Sequence, residues 1–138
     1  MGVTEEHLRD CMKKRQELSA LSTRYMEVTA RALSPPSPSP VSGRHPPWTD
    51  KLERMVIKAE DIHEKMIDKT EELEDLKQMI CQGIERMTDE TGKDVLFYRY
   101  VCGWKWERIT AKLDTNERFI FRVHQRALRE FEKANEGF

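Results

Sequence analysis

The chain has 138 residues, 36% of them charged and 38% hydrophobic, with 24 Lys/Arg against 25 Asp/Glu and a net charge of −1. So much charge needs surface, which argues against one large core and favours a small domain carried on extended helices. No stretch approaches the roughly 20 apolar residues of a membrane span, and with only six glycines and no strand-type alternation the chain is expected to be all-α.

Residues 1–33 read as an N-terminal helix, with Thr4 as its cap and Glu5 and Glu6 in its first turn. Leu18, Leu21, Tyr25, Val28 and Ala32 follow the alternating spacing of a helix that packs on another. Such a helix is marginal alone in water, so it needs either the next helix or another copy of the chain. Residues 34–49 are a Pro/Ser-rich linker that holds all six prolines, which sustain neither helix nor ladder. The spacing Pro35-x-x-Pro38 within it is common in any linker of that composition.

Residues 50–87 read as one long helix, capped by Asp50 with Glu53 reaching back to the cap. Leu52, Ala59, Met66, Leu73, Ile80 and Met87 recur every seventh residue, with Met55, Ile62 and Leu76 between them. This heptad seam is interrupted at Lys69 and at Gly83, where the last turns are expected to loosen. A helix of about 57 Å is either half of a helical hairpin or a dimerising coiled coil.

His63, beside Glu60, Asp61 and Glu64, reads as part of a solvated helix face. The four histidines sit singly, and Cys11, Cys81 and Cys102 form neither a C-x-x-C pair nor an even set. No metal site or disulfide is therefore expected, which fits a reducing cytoplasm. There is no Gly-rich phosphate loop and no nucleophile elbow, so neither a cofactor nor an enzymatic activity is expected.

Thr88–Lys93 is expected to break the chain before a C-terminal unit of three short helices, residues 88–133, with residues 134–138 as a fraying tail. Val95, Leu96 and Tyr100 share a face of the first helix, and Gly103 supplies the left-handed residue that ends it. Trp106, Ile109, Thr110 and Leu113 mark a second helix of about two turns, with Trp106 anchoring the packing. Asp114-Thr115 breaks it, because a short Asx side chain competes for backbone hydrogen bonds and tolerates unusual angles. Asn116 caps the third helix.

On that helix Ile120, Ala127, Leu128 and Phe131, with His124 at the edge, form an apolar stripe. Arg118, Arg122, Gln125 and Arg129 form another. An apolar back with an Arg/Gln front suits the major groove, because guanidinium pairs with guanine edges and carboxamide with adenine edges. A lone Arg stripe is more often a solvated face, but here it follows a short helix, a tight turn and a cap, as in a helix-turn-helix. Asn116, Arg118, Arg122 and Gln125 are thus placed at the groove, and Arg126, Arg129, Lys105, Arg108 and Lys112 at phosphates. Phe121 or Trp104 could stack on a base, although rim packing is the commoner role. Residues 51–92 carry seven Lys/Arg against twelve Asp/Glu, and residues 93–138 ten against seven. A duplex is therefore expected at the C-terminal end.

The run VLFYRYVCGWKWERITAKL, followed by NERFIFRVHQRAL, resembles the promoter-reading C-terminal domain of bacterial sigma factors. It is more similar still to short phage proteins related to the RinA and ArpU late transcriptional regulators. Their pattern is R-Y-x-x-G-x-S-W-x-x-I-A-x-x-L, a turn, then S-x-R-x-V-x-R-x-H-x-x-A-L. The chain supplies Arg99, Tyr100, Gly103, Trp106, Ile109, Leu113, Arg118, Arg122, His124, Ala127 and Leu128. It departs with Lys105 for the capping Ser, Thr110 for Ala, Asp114 for a turn Gly, Asn116 for Ser and Ile120 for Val. The matched stretch is under a third of the chain. The resemblance implies a sequence-specific, double-stranded-DNA-binding transcriptional regulator of a phage or prophage. It would activate late genes beside host RNA polymerase in the bacterial cytoplasm, as a homodimer if the long helix pairs two copies. Two other functions suit the same helices: an interaction module that binds polymerase or a sigma factor, and a small terminase-like DNA-packaging component.

Overall fold

The computed structural model describes residues 2–33 and 47–137, with residues 47–49 described by backbone alone. The expected linker lies outside the described residues over 34–46. Among the described residues the fold is all-α: α1 (Glu5–Leu33), α2 (Pro47–Glu85), α3 (Glu90–Leu96), a π-helical turn continuing it (Phe97–Val101), α4 (Trp106–Lys112) and α5 (Glu117–Ala134). None of these helices is long and apolar enough to cross a membrane. Helix α2 begins at Pro47, a residue pre-set for the first helical position. Asp50, expected as the cap, therefore lies inside the first turn.

The chain forms two compact units, Gln16–Glu71 and the combination of Met1–Arg15 with Glu72–Phe138. Within Gln16–Glu71 the two helical arms run antiparallel. Glu17 Oε2 meets Lys69 Nζ at 2.6 Å, and the rings of Tyr25 and His63 lie 5.8 Å apart. Leu18, Leu21, Tyr25, Val28 and Ala32 are half-buried on one arm, as are Met55, Ala59 and Met66 on the other, while Ile62 is buried. The apolar spacing of both arms thus closes within the chain. Leu52, assigned to the seam, is 39% exposed, and Lys69, read as an interruption, is paired at the seam's edge. Val56, Ile57 and Ile67 are exposed.

The other unit has a core of Leu8, Cys11, Ile80, Val95, Leu96, Ile109, Ala127 and Phe131, all at 0% exposure. The first turns of α1 are therefore core elements here. Thr4 precedes α1, but its hydroxyl lies 3.2 Å from the His7 ring nitrogen instead of capping an amide. The Glu5 amide donates to Glu132 Oε1 of α5 at 2.7 Å, which satisfies one of the orphan donors at the start of α1. Nearby on α5, Glu130 Oε1 accepts from the amides of Thr88 (2.6 Å) and Asp89 (3.2 Å) and from the Thr88 hydroxyl (3.1 Å). Asp89 accepts in turn from the Gly92 amide at 3.2 Å, so α3 starts at Glu90 and the expected break is shorter than Thr88–Lys93. Met87, assigned to the long helix, lies beyond its end and is buried at 3% exposure.

Gly83 does not loosen α2. It is buried because the Phe131 ring packs directly on its backbone, and a Cβ there would fall 2.7 and 2.9 Å from two ring carbons. Asn135, at 1% exposure, locks the same contact by donating to the Gly83 carbonyl at 3.1 Å and to the Phe131 carbonyl at 2.7 Å. Arg86 donates to its Oδ1 at 2.7 Å. The Phe131 ring has no room to retreat, so Gly83→Ala is expected to destabilise the protein by about 1–3 kcal/mol, against the usual helix preference for alanine. Urea denaturation checks this through a lower midpoint with an unchanged slope.

Candidate nucleic-acid interface

The interface begins where α3 widens. In the π-helical turn the Cys102 amide donates to the Phe97 carbonyl at 3.0 Å, and the Trp104 amide to the Tyr98 carbonyl at 2.9 Å. The carbonyls at the end of this turn are taken up by α1: Arg15 donates to those of Tyr100 (3.0 Å) and Val101 (2.7 Å), and Cys11 Sγ to that of Tyr100 (3.4 Å). Gly103 has the expected positive φ, 74°, and a Cβ there would lie 2.7 Å from Arg15 Nε. Glycine thus serves both the turn and the close approach of the guanidinium.

Lys105 precedes α4 without any side-chain cap, as expected where a hydroxyl residue is missing. Helix α4 ends with the Thr115 amide on the Thr110 carbonyl (3.0 Å) and the Asp114 amide on the Ala111 carbonyl (3.3 Å). That pair of bonds is a Schellman closure, and Asp114 occupies its left-handed position at φ 51°. Asn116 Oδ1 then accepts from the Phe119 amide at 2.9 Å and starts α5.

Helix α5 buries Ile120, Val123, Ala127 and Phe131. Val123, absent from the expected stripe, is 1% exposed, whereas Leu128, included in it, is only half-buried. At 100° per residue Val123 falls beside Ala127 and Leu128 at the flank. The opposite face carries Arg118, Arg122, Gln125 and Arg129, with Arg126 beside them, all exposed. Asn116, Lys105, Arg108 and Lys112 are exposed as well, and Phe121 is 61% exposed. Among the described residues, the side chains of Lys105, Lys112, Arg118, Arg122, Arg126 and Arg129 enter no ion pair or hydrogen bond. A recess of about 640 Å³ between α4 and α5 is lined by Trp106, Ile120, Phe121 and His124, with Arg118 and the carboxylates Glu107 and Glu117 among its polar groups.

Behind this surface lies an aromatic layer. The Arg99 guanidinium sits 4.6 Å from the Trp106 ring centre and donates to the Trp104 carbonyl at 3.0 Å. Trp106, expected as the anchor, is half-buried and packs edge-on against His124 at 4.7 Å. His124 Nε2 and Tyr100 Oη share a hydrogen bond of 2.8 Å. Burial raises the pKa of the Tyr100 hydroxyl and lowers that of His124, whose protonation nearby Arg99 also opposes. A second stack, invisible in the sequence, joins Tyr98, Trp104 and Arg108: the two rings lie 4.4 Å apart and 3° from parallel, and Arg108 Cζ is 3.8 Å from the Trp104 ring centre.

Such a surface, cationic and without carboxylate partners, is suited to a polyanion. Among the described residues no group of three or more His, Cys, Asp or Glu side chains could hold a metal ion. Cys11 is buried, Cys81 half-buried and Cys102 exposed, and all three are free thiols. Comparison of the chain with protein-family models, with curated proteins and with solved structures finds no match.

Two outcomes follow from this geometry. Asp114→Gly removes a left-handed conformation costing about 1–2 kcal/mol but adds freedom to the unfolded chain, so a net gain of about 0.5–1 kcal/mol is expected; Asp114→Val should lose stability. Thermal melts of the two variants check the sign. The second outcome concerns pH. The folded state holds His124 below its ordinary 6.5, so the unfolded chain binds that proton more readily. Stability is therefore full above about pH 6.5 and falls as pH drops through the lowered value. Glu130, held below 4.5 chiefly by the Thr88 amide, loses its contribution only in more acid solution. Melts between about pH 7.5 and 5 should show the first loss, and His124→Gln should flatten it.

Proposed function

We propose that the chain is a sequence-specific, double-stranded-DNA-binding transcriptional regulator in which α4, the turn at Asp114 and α5 act as a helix-turn-helix. The observation that carries this reading is the outer face of α5, where exposed Arg118, Arg122, Gln125 and Arg129 lie opposite the buried Val123, Ala127 and Phe131. Helix α5 enters the major groove, with Arg118, Arg122 and Gln125 at base edges and Asn116 at the groove as the cap. Arg126, Arg129, Lys105, Arg108 and Lys112 contact phosphates and fix the register. Phe121 stands at the rim of this surface.

The resemblance to the RinA/ArpU regulators and to sigma factors supports a late-gene activator of a phage or prophage, working beside host RNA polymerase. Exposed Leu52, Val56, Ile57 and Ile67 support pairing of two copies through α2, with each helix-turn-helix on one half-site. The same exposed residues favour a second reading, in which this unit docks on polymerase or a sigma factor and DNA contact is secondary.

Fragments of the source genome selected by the purified protein at near-physiological salt test the choice, with the Arg118→Ala/Arg122→Ala protein alongside. Enrichment of one site by the parent protein alone is the expected result. Loss of either arginine should weaken the selected site by about 1–3 kcal/mol and random duplex by much less. Equal losses on both, or no enrichment by a folded parent protein, would favour the docking module.

A further inference from the structure

We propose that Tyr98 and Trp104 form a two-ring platform that holds the Arg108 guanidinium ready as a phosphate ligand. The inference rests on the DNA-binding reading above and adds to it the aromatic residues that prepare one backbone contact.

The platform is built by the wide turn after α3. Trp104 is fixed through both of its backbone polar groups: its amide donates to the Tyr98 carbonyl at 2.9 Å and its carbonyl accepts from Arg99 at 3.0 Å. The extra residue of the π-helical turn brings the indole back over Tyr98, 4.4 Å away and 3° from parallel. Tyr98 covers one face of the indole, so Arg108, whose Cζ lies 3.8 Å from the ring centre, occupies the other. Both rings are half-buried and Arg108 is exposed.

A guanidinium carries its N–H donors in its own plane, around its edge, and a cation–π contact holds it without occupying them with a carboxylate or carbonyl. The ring quadrupole attracts the cation without neutralising it, as a carboxylate would. Among the described residues the exposed Arg108 side chain has no ion pair or hydrogen bond, so its donors are available to a ligand. Phosphate oxygens match this fork two at a time. The ordering of a long side chain, normally lost on binding, has here been met in folding. Lys105, just before α4, and Lys112, in its last turn, are both exposed and extend the positive surface on either side.

The test is binding of a mixed-sequence duplex of about 30 base pairs across about 50 to 200 mM salt. The parent chain is compared with Arg108→Ala, Arg108→Lys, Trp104→Leu, Trp104→Phe and Trp104→Leu/Arg108→Ala, with folding followed by thermal melts. Arg108→Ala should reduce the steepness of the log–log salt dependence by about 0.9, the share of one phosphate. Trp104→Leu should weaken binding, and Trp104→Phe, which restores a ring face, should recover most of it. The double variant should bind no worse than Arg108→Ala, because the ring acts through the guanidinium. An unchanged salt slope in Arg108→Ala, or additive losses in the double variant, overturns the inference while leaving DNA binding intact. Arg108→Lys keeps the charge at an exposed position and decides the matter if Trp104→Leu fails to fold: weaker binding than the parent upholds the platform, and parent-like binding overturns it. A folded parent protein that binds no duplex removes the underlying reading and this inference together.

Discussion

The guanidinium of Arg15, spanning the carbonyls of Tyr100 and Val101, is the contact on which the C-terminal part of the molecule depends. A π-helical turn leaves carbonyls without their usual helical donors, and a buried carbonyl without a partner is costly. Arg15 and Cys11 supply the donors from a helix more than eighty residues away in sequence. The consequences reach in both directions. Gly103 must lack a side chain so that the guanidinium fits, and Trp104, one residue on, is delivered to the face of Tyr98. In the other direction, Leu8 and Cys11 are drawn fully into the core, so the start of α1 belongs to the same unit as α5.

Helix α5 divides its charges by face. The carboxylates of Glu130 and Glu132 are engaged by backbone amides of Thr88, Asp89 and Glu5, and Asn135 is buried against Gly83. The two carboxylates accept from amides at the starts of α1 and α3, and Asn135 donates to helical carbonyls. The arginines on the outer face have no such engagement. A net charge of −1 over the whole chain therefore says little about the field around α5, where Glu130 and Glu132 are engaged by backbone amides and the arginines face solvent. Long-range attraction of a polyanion depends on that local arrangement.

Features decided over a few residues were legible in the sequence. The cap at Asn116, the left-handed Gly103 and Asp114, the short α4 and the two faces of α5 all follow from side chains within a turn or two of each other. Features decided by what lies opposite were not. Gly83 suggested weakness because nothing local announces the Phe131 ring against it. The single heptad seam over residues 50–87 proved to be shared between two units, since periodicity fixes a face without naming its partner. Among the candidate site residues, exposure could be anticipated, but the seat of Arg108 on Trp104 could not, because it needs the register shift of the π-helical turn. On α5 the buried stripe runs through Val123, while Leu128, five residues on, lies at its flank, because the tilt of the stripe is set by what packs against it.

Both α1 and α2 pass through the two units. Gln16–Glu71 is in effect an insertion, spliced between Arg15 and Glu72 of a domain whose own sequence is discontinuous. Lys14 and Glu72, joined at 3.0 Å, hold the two ends of the splice together. Because the inserted arms are antiparallel, removing one heptad from each shortens the insertion by about 10 Å and returns the chain to the same two points. No contiguous excision, by contrast, retrieves the other domain whole: a fragment beginning near Thr88 would leave behind the arginine that closes its first helix. Insertion length is thus open to change in a way that the domain it interrupts is not.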